Sequence, residues 1–134
     1  MLDTNILISS LMSREGLPAY IVKLWLQKRY DLVTSTWQLN EVRRVSRYDT
    51  VKTFVNRVEV GALINALQIK ALVLDNLPSV DYSPDPDDNA ILATALAGGA
   101  QYLVSGDKSD VLVLDKVDGT HILSARDFVN LIDS

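Results

Sequence analysis

Cysteine is absent from this chain. Without it there is no disulfide framework, no thiolate metal site and no thiol nucleophile. Long apolar runs are absent too, and no run approaches the roughly 20 residues that a membrane span needs. An acidic residue stands third with no basic region before it, so we expect no signal peptide. These absences favour a cytoplasmic protein without a membrane segment.

Positive charge is in deficit: Lys and Arg total 13, Asp and Glu total 17, and the net charge is −4. This balance argues against a protein that coats duplex DNA nonspecifically. It is compatible with nucleic-acid binding at a metal site, because bound cations offset negative charge locally. The only histidine is His121, which we interpret as a strand residue without a catalytic role.

The length and the apolar fraction predict one globular domain. The chain has 134 residues, of which 48% are hydrophobic, and we assign residues 1–134 to a single domain. Short apolar runs at 31–34, 69–74, 102–105 and 121–123 predict strands, and segments with helical spacing separate them. Strands that alternate with helices imply an α/β fold with a parallel sheet covered on both faces.

Turn and capping residues predict where the other elements begin. Leu2 and the apolar run 6–8 indicate a first strand that leads into a helix; only two residues precede Asp3, so this strand is short. Ser35 with Gln38 three residues later has the spacing of a capping box. Helices are predicted from Pro18, from Ser35, from Phe54, from Asp88 through Ala97, and from Ser124 to Leu131.

Four widely spaced acidic residues each stand where an apolar run ends or a helix begins: Asp3, Glu41, Asp88 and Asp107. In an α/β fold, catalytic groups gather at the carboxyl ends of the strands. Carboxylates that converge there repel one another unless a divalent cation holds them together. The pattern therefore predicts a magnesium or manganese site, and with it phosphate chemistry.

Such a site suits the hydrolysis of a phosphodiester bond. The reaction needs an activated water molecule and a stabilised leaving oxygen, and two hard cations supply both. Magnesium and manganese prefer oxygen ligands to sulfur or imidazole, which fits a chain with many carboxylates and one histidine.

Four segments in order resemble the successive motifs of PIN-domain ribonucleases: residues 2–9, 39–42, 85–96 and 102–108. The resemblance spans nearly the whole chain and is greatest to the toxin components of toxin–antitoxin systems. Any one motif alone is common by chance, whereas four in order are specific. The resemblance implies a three-layer α/β/α sandwich with a central, mainly parallel sheet. It also implies a metal-dependent endoribonuclease.

The resemblance also assigns roles to individual residues. Catalytic metal ligands would be the four acidic residues Asp3, Glu41, Asp88 and Asp107. Thr4 and Asn5 would brace the loop around the first carboxylate, and Ser105 fills a position usually held by a small hydroxyl residue. Asp110 is a candidate for an extra ligand.

Each acidic residue also has a plainer interpretation. Asp3 and Asp107 suit simple turns, and Glu41 alone is typical of a solvated helix face. Asp87 competes with Asp88, since an aspartate at either position caps a helix well. We favour Asp88 because it stands directly before the helical run, with Asp87 in support.

Basic residues follow Glu41 closely: Arg43, Arg44, Arg47, Lys52 and Arg57. Phosphate contacts from this group would position an RNA strand beside the acidic site, and Tyr48 would stack on a base. A solvated helix face, or a surface covered by a partner's acidic residues, explains the same pattern. RNA is favoured over DNA by the resemblance alone.

The resemblance further implies an antitoxin protein that blocks the site by placing an arginine among the carboxylates, and a homodimer formed through apolar faces of the helices from Pro18 or Phe54. One alternative is a PIN-like scaffold that binds RNA or protein without cleavage, which the short first strand favours. The other is a phosphotransfer domain. A phosphatase of the haloacid-dehalogenase type needs an aspartate where Asn5 stands, and the acidic pair of a receiver domain is missing.

Overall fold

The structure is a computed structural model that describes residues 1–106 and 111–134. Its helices are α1 (Thr4–Met12), α2 (Leu17–Leu26), α3 (Thr36–Val45), α4 (Arg57–Lys70), α5 (Pro86–Ala97) and α6 (Ala125–Asp133). Its strands are β1 (Val33–Ser35), β2 (Leu72–Leu74), β3 (Tyr102–Ser105), β4 (Lys116–Val117) and β5 (Thr120–Ser124). None of these helices, within the residues described, is long and apolar enough to cross a bilayer.

The strands form two hydrogen-bonded groups. β1 pairs in parallel with β2, with Val33 opposite Leu72. β5 lies between β3, its parallel neighbour, and β4, its antiparallel neighbour. Leu2 adds a single parallel bridge to Val104 on the free side of β3. The predicted first strand is therefore reduced to one bridged residue, directly before Asp3.

Helices cover both faces of the strands. Successive residues of β3 point to opposite faces, as the period of a strand requires: Val104 packs in a core with α1 to α4 and α6, whereas Leu103 packs in a second core with α5. Ile122 and Leu123 on β5 divide in the same way. The predicted α/β fold with a mainly parallel sheet between two helical layers is confirmed.

Several predicted boundaries are wrong. Residues 69 and 70 belong to α4, so the predicted strand at 69–74 shrinks to Leu72–Leu74. The helix predicted from Phe54 begins at Arg57, because the Asn56 side chain accepts hydrogen bonds from Val58 N and Glu59 N and so caps the helix there. Residues 6–8 lie inside α1. The short strand β4 was not predicted, since its two residues are too few for any pattern.

Candidate active site

Asp3 lies at the carboxyl end of the bridged residue Leu2 and immediately before α1. Its backbone N–H donates to the Val104 carbonyl at 2.8 Å, which brings it beside the end of β3. There the Ser105 hydroxyl donates to Asp3 Oδ2 at 2.7 Å, and both side chains are buried. Burial raises the pKa of Asp3, and hydrogen bonds from Ser105 and from the Thr4 and Asn5 backbone oppose that rise. The hydrogen bond with Ser105 restrains Asp3, while the catalytic roles of both residues stay predictions.

Gln38 fixes the backbone next to Asp3. This glutamine on α3 is 1% exposed, and its Nε2 donates to the Leu2 carbonyl at 2.7 Å and lies 3.5 Å from Thr4 Oγ1. Its Oε1 accepts a hydrogen bond from the Thr34 hydroxyl. The Gln38 amide thus links β1 to the Leu2–Asp3 segment. Among the described residues, the two groups of strands are not joined by backbone hydrogen bonds, so this side chain bridges the gap between them.

Glu41 is held on α3 with its side chain only 12% exposed. Burial raises its pKa to about 7; repulsion from Asp87, Asp3 and Asp85 adds to this rise, and Arg44 opposes it. Its Oε2 atom is buried and has no hydrogen-bond partner among the residues that the structure describes, and the Arg44 guanidinium is 3.8 Å away. The described protein groups around Glu41 therefore do not offset the cost of burying its ionised carboxylate.

The start of α5 carries three aspartates with different surroundings. Asp85, not Asp87 or Asp88, is the capping residue, because its side chain accepts from the Asp87 N–H at 2.9 Å. Asp87 is exposed and contributes to the repulsion on Glu41. Asp88 Oδ2 accepts from the Ser83 hydroxyl at 3.1 Å. Capping thus does not account for either Asp87 or Asp88.

Asn89 shapes the loop that precedes these aspartates. Its Oδ1 accepts from the backbone N–H groups of Tyr82 and Ser83, both at 2.9 Å, and its Nδ2 donates to the Ser83 carbonyl at 2.8 Å. The loop is wound around this one side chain, and Ser83 is thereby held against Asp88. A polar residue in the first turn of an otherwise apolar helix was the sequence signal for this role.

A cavity of about 400 Å³ lies beside Ser105, the residue that donates a hydrogen bond to Asp3. Asn5 and Ser9 of α1, Ser105 and Gly106 after β3, and Arg126 of α6 contribute to its lining. Arg126 was not among the sequence candidates, because it is distant in sequence from every acidic motif. The cavity thus combines a cationic side chain with Ser105, and its described lining residues do not include Asp3, Glu41 or Asp88.

The predicted site residues are brought together only in part. Asp107 and Asp110 lie outside the described residues, so the structure gives no position for them. Within residues 1–106 and 111–134, no three Asp, Glu, His or Cys side chains form a cluster that could hold a metal ion. Asp3, a buried carboxylate, and Glu41, a partly buried one, nevertheless suit a hard divalent cation, because both have raised pKa values and Glu41 Oε2 accepts no hydrogen bond from the described residues.

The basic residues are divided between two sides of α3. Arg44 lies beside Glu41. Arg43, Arg47, Lys52 and Arg57 instead line a separate pocket against α4. RNA binding by these residues stays a prediction, and any such binding would involve two distinct surfaces.

The fold and the site define an α/β protein with buried carboxylates at the carboxyl end of its parallel strands. The sequence profile of the PIN domain matches residues 1–109, and the chain belongs to the PIN-domain family. PIN domains are generally nucleases and usually use divalent metal ions. No curated protein and no solved structure matches the chain significantly. The predicted family is confirmed, and membership of the toxin branch stays a prediction.

Replacing Gln38 by Met is expected to destabilise the fold by about 2–4 kcal/mol, because the buried Leu2 carbonyl and Thr34 hydroxyl both lose their amide partner while side-chain volume is kept. Urea unfolding monitored by circular dichroism measures the loss. Gln68→Met on the exposed face of α4 is the matched control, with a change of less than about 0.5 kcal/mol. Equal losses in the two variants would show that Gln38 does not hold the Leu2–Asp3 segment.

Proposed function

We propose that this protein is a metal-dependent endoribonuclease that hydrolyses RNA phosphodiester bonds. The observation that carries the proposal is the pair of carboxylates Asp3, which is buried, and Glu41, which is partly buried. Both have raised pKa values, and Glu41 Oε2 accepts no hydrogen bond from the described residues. A protein that gained nothing from these charges would be more stable with neutral side chains there. Asp3, Glu41, Asp88 and Asp107 are the proposed ligands of Mg²⁺ or Mn²⁺.

A bound divalent metal would activate a water molecule and stabilise the leaving 3′ oxygen. The protein's own residues would prepare that site. Ser105 restrains one oxygen of Asp3 by its hydrogen bond, and Gln38 fixes the adjoining backbone. Net hydrolysis adds water across the P–O3′ bond and gives a 5′ phosphate and a 3′ hydroxyl.

The cavity beside Ser105 suits a segment of the RNA backbone. Arg126 supplies positive charge for a phosphate, and Asn5 and Ser9 supply hydrogen-bonding groups for a sugar or base. We propose single-stranded or loop RNA as the substrate, because these strands expose the backbone and the base edges together. The choice of RNA over DNA rests on the resemblance to PIN-domain ribonucleases.

We also propose two protein partners. An antitoxin would block the site by placing a cationic side chain near Glu41, where a buried oxygen lacks a hydrogen bond. This proposal rests on the resemblance to toxin components. A homodimer would cover exposed apolar residues of α4, where Val58 is 80% and Ile69 is 71% exposed.

A second candidate function is an RNA- or protein-binding scaffold without nuclease activity. It is favoured by the lack of a three-residue metal cluster in the two segments that the structure describes. The family match gives no support to a phosphotransfer domain.

The proposed function predicts that a labelled single-stranded RNA is cleaved with Mn²⁺ or Mg²⁺ and stays intact in EDTA. Asp88→Asn is expected to lower the cleavage rate by more than about 100-fold, since even groups that only orient metal ligands are worth 10–100-fold. Asp87→Asn is the matched comparison, because Asp87 is exposed one residue earlier in the same helical turn. A greater loss of cleavage rate in Asp87→Asn than in Asp88→Asn would show that Asp87, and not Asp88, is the metal ligand.

Failure to cleave any RNA in a varied panel, together with no metal-dependent rise in the melting temperature, would favour the scaffold. Cleavage that is equally fast in EDTA would instead contradict the metal-dependent mechanism.

A further inference from the structure

A second cavity, of about 530 Å³, lies between α3 and α4, and we call it the α3–α4 pocket. Its cationic lining residues are Arg43, Arg47, Lys52 and Arg57. Its apolar wall includes Val60 and Ile64 of α4. The volume lies in the range of about 300–1,000 Å³ that is typical of small-molecule sites.

The α3–α4 pocket is distinct from the carboxylate site. Arg44 follows Glu41 by three residues and shares its side of the helix. Arg43 follows Glu41 by two residues, which places it about 200° around the helix axis at 100° per residue, and Arg47 lies beyond the end of α3 at Val45. The two sites therefore flank α3, separated by roughly the 10 Å diameter of a helix.

Among the described residues, Lys52 is the one cation of the four in this pocket that forms an ion pair with a carboxylate. Lys52 forms an ion pair with Asp49 at 2.9 Å, and Arg43 donates to Asn40 Oδ1 at 3.0 Å. Arg47 and Arg57 have no carboxylate within ion-pair distance among the residues that the structure describes. Two guanidinium groups that line a cavity attract an anion, and their paired, coplanar N–H donors suit the oxygens of a phosphate.

The rest of the pocket suits a flat apolar group. Val60 and Ile64 offer an aliphatic surface on which a nucleobase can lie. The connection between α3 and α4 also exposes Tyr48 and Phe54, the latter 62% exposed, and aromatic side chains of this kind stack on unpaired bases. A phosphate joined to a planar base matches the combination of guanidinium rim and aliphatic wall.

We propose that the α3–α4 pocket binds one unpaired nucleotide of the RNA, a few nucleotides away from the bond that is cleaved. This inference rests on the proposed function and extends it with a second RNA-binding site on the opposite side of α3. A nucleotide fits better than an acidic peptide helix, because a helix needs a continuous groove whereas this cavity takes one compact group. The pocket would anchor longer RNAs and leave the chemistry at the carboxylates unchanged.

The test uses a double variant, Arg47→Gln with Arg57→Gln, and a matched control, Lys23→Gln with Lys28→Gln, which removes two exposed charges elsewhere. Affinity for a labelled unstructured 12-nucleotide RNA is measured in EDTA by fluorescence anisotropy at several salt concentrations. The pocket variant is expected to bind at least tenfold more weakly at low salt. Its slope of log affinity against log salt is expected to fall by about 0.7, because the pocket holds one phosphate and each phosphate contact on a single strand contributes about 0.7.

Cleavage of a dinucleotide with Mn²⁺ separates this inference from the proposed function. A dinucleotide is too short to span both sites, so its cleavage reports the chemistry at the carboxylates alone, and the Lys23, Lys28 control variant is expected to cleave it at the native rate. If the native protein cleaves RNA but the pocket variant binds the 12-nucleotide RNA as tightly as the control does, the nucleotide site is refuted and the nuclease is retained. If the native protein cleaves nothing, the nuclease fails while the binding result still decides the pocket.

An acidic 12-residue poly-glutamate peptide distinguishes the other class of ligand. The nucleotide site predicts that the labelled RNA is displaced by unlabelled RNA at lower concentrations than by the peptide. If the pocket substitutions abolish peptide binding and leave RNA affinity intact, the pocket is a protein-docking site and the inference is overturned.

Discussion

An Asp3→Asn variant is expected to lose RNA cleavage by more than about 100-fold and yet to melt no lower than the native protein. The loss should exceed the 10–100-fold that follows removal of a group that merely orients a metal ligand. Stability should be kept because asparagine retains the shape and an oxygen that accepts from Ser105, while the buried charge disappears. Burial already raises the pKa of Asp3, so the neutral side chain avoids a desolvation cost.

The measurement pairs an initial cleavage rate in Mn²⁺ with a thermal melt at the same pH. Asp31→Asn serves as the control, since that carboxylate is exposed before β1 and no change in rate or melting temperature is expected. Cleavage by Asp3→Asn within tenfold of the native rate would remove Asp3 from the catalytic residues. A large fall in melting temperature would show that the charge serves the fold.

The contact between Asp3 and Ser105 could be predicted because it follows from topology. Parallel strands bring their carboxyl ends to one edge, and the bridge between Leu2 and Val104 sets the register that places the next residue of each strand together. Sequence separation of about one hundred residues does not matter once that register is fixed.

The role of Gln38 could not be predicted in the same way. The spacing of Ser35 and Gln38 indicated a capping box, and half of it forms: Ser35 Oγ accepts from the Gln38 N–H at 3.2 Å. The Gln38 side chain turns away and donates to the Leu2 carbonyl. A local sequence pattern cannot reveal an acceptor that is distant in sequence. Because the first strand is so short, the Leu2 carbonyl accepts its hydrogen bond from the Gln38 side chain.

The basic residues illustrate a limit of linear proximity. Arg43, Arg44 and Arg47 follow Glu41 so closely that they read as one surface. Helical periodicity divides them, because neighbouring residues differ by about 100° around the axis. Arg44 alone approaches Glu41, and the other two face α4. Helix boundaries are needed before a run of charges can be assigned to a site.

The pH dependence of stability is expected to differ between the native protein and a Glu41→Gln variant. Folding raises the pKa of Glu41 from 4.5 to about 7, mainly through burial and with repulsion from Asp87. Below pH 4.5 the carboxyl is protonated in both the folded and the unfolded chain, so no stability is lost. As the pH rises from 4.5 to about 7, the unfolded chain ionises first, and the folded state loses stability.

Glutamine cannot ionise, so the variant should lack this loss. Its free energy of unfolding should match the native value at pH 4 and exceed it at pH 8 by at most about 3.5 kcal/mol, at about 1.4 kcal/mol per pKa unit. Urea unfolding at both pH values measures the difference. Gln is a matched replacement because it keeps the length and packing of Glu41, whereas a shorter residue would also open a cavity.

At pH 8, metal binding should make the native protein more stable than the Glu41→Gln variant. Mg²⁺ favours the ionised carboxylate, so adding it should raise the melting temperature of the native protein more than that of Glu41→Gln. Binding near pH 7 should also release protons, which calorimetry in buffers of different ionisation enthalpy detects. If Mg²⁺ stabilises both proteins equally and no proton is released, Glu41 does not hold the metal, and its raised pKa reflects burial beside other acids alone.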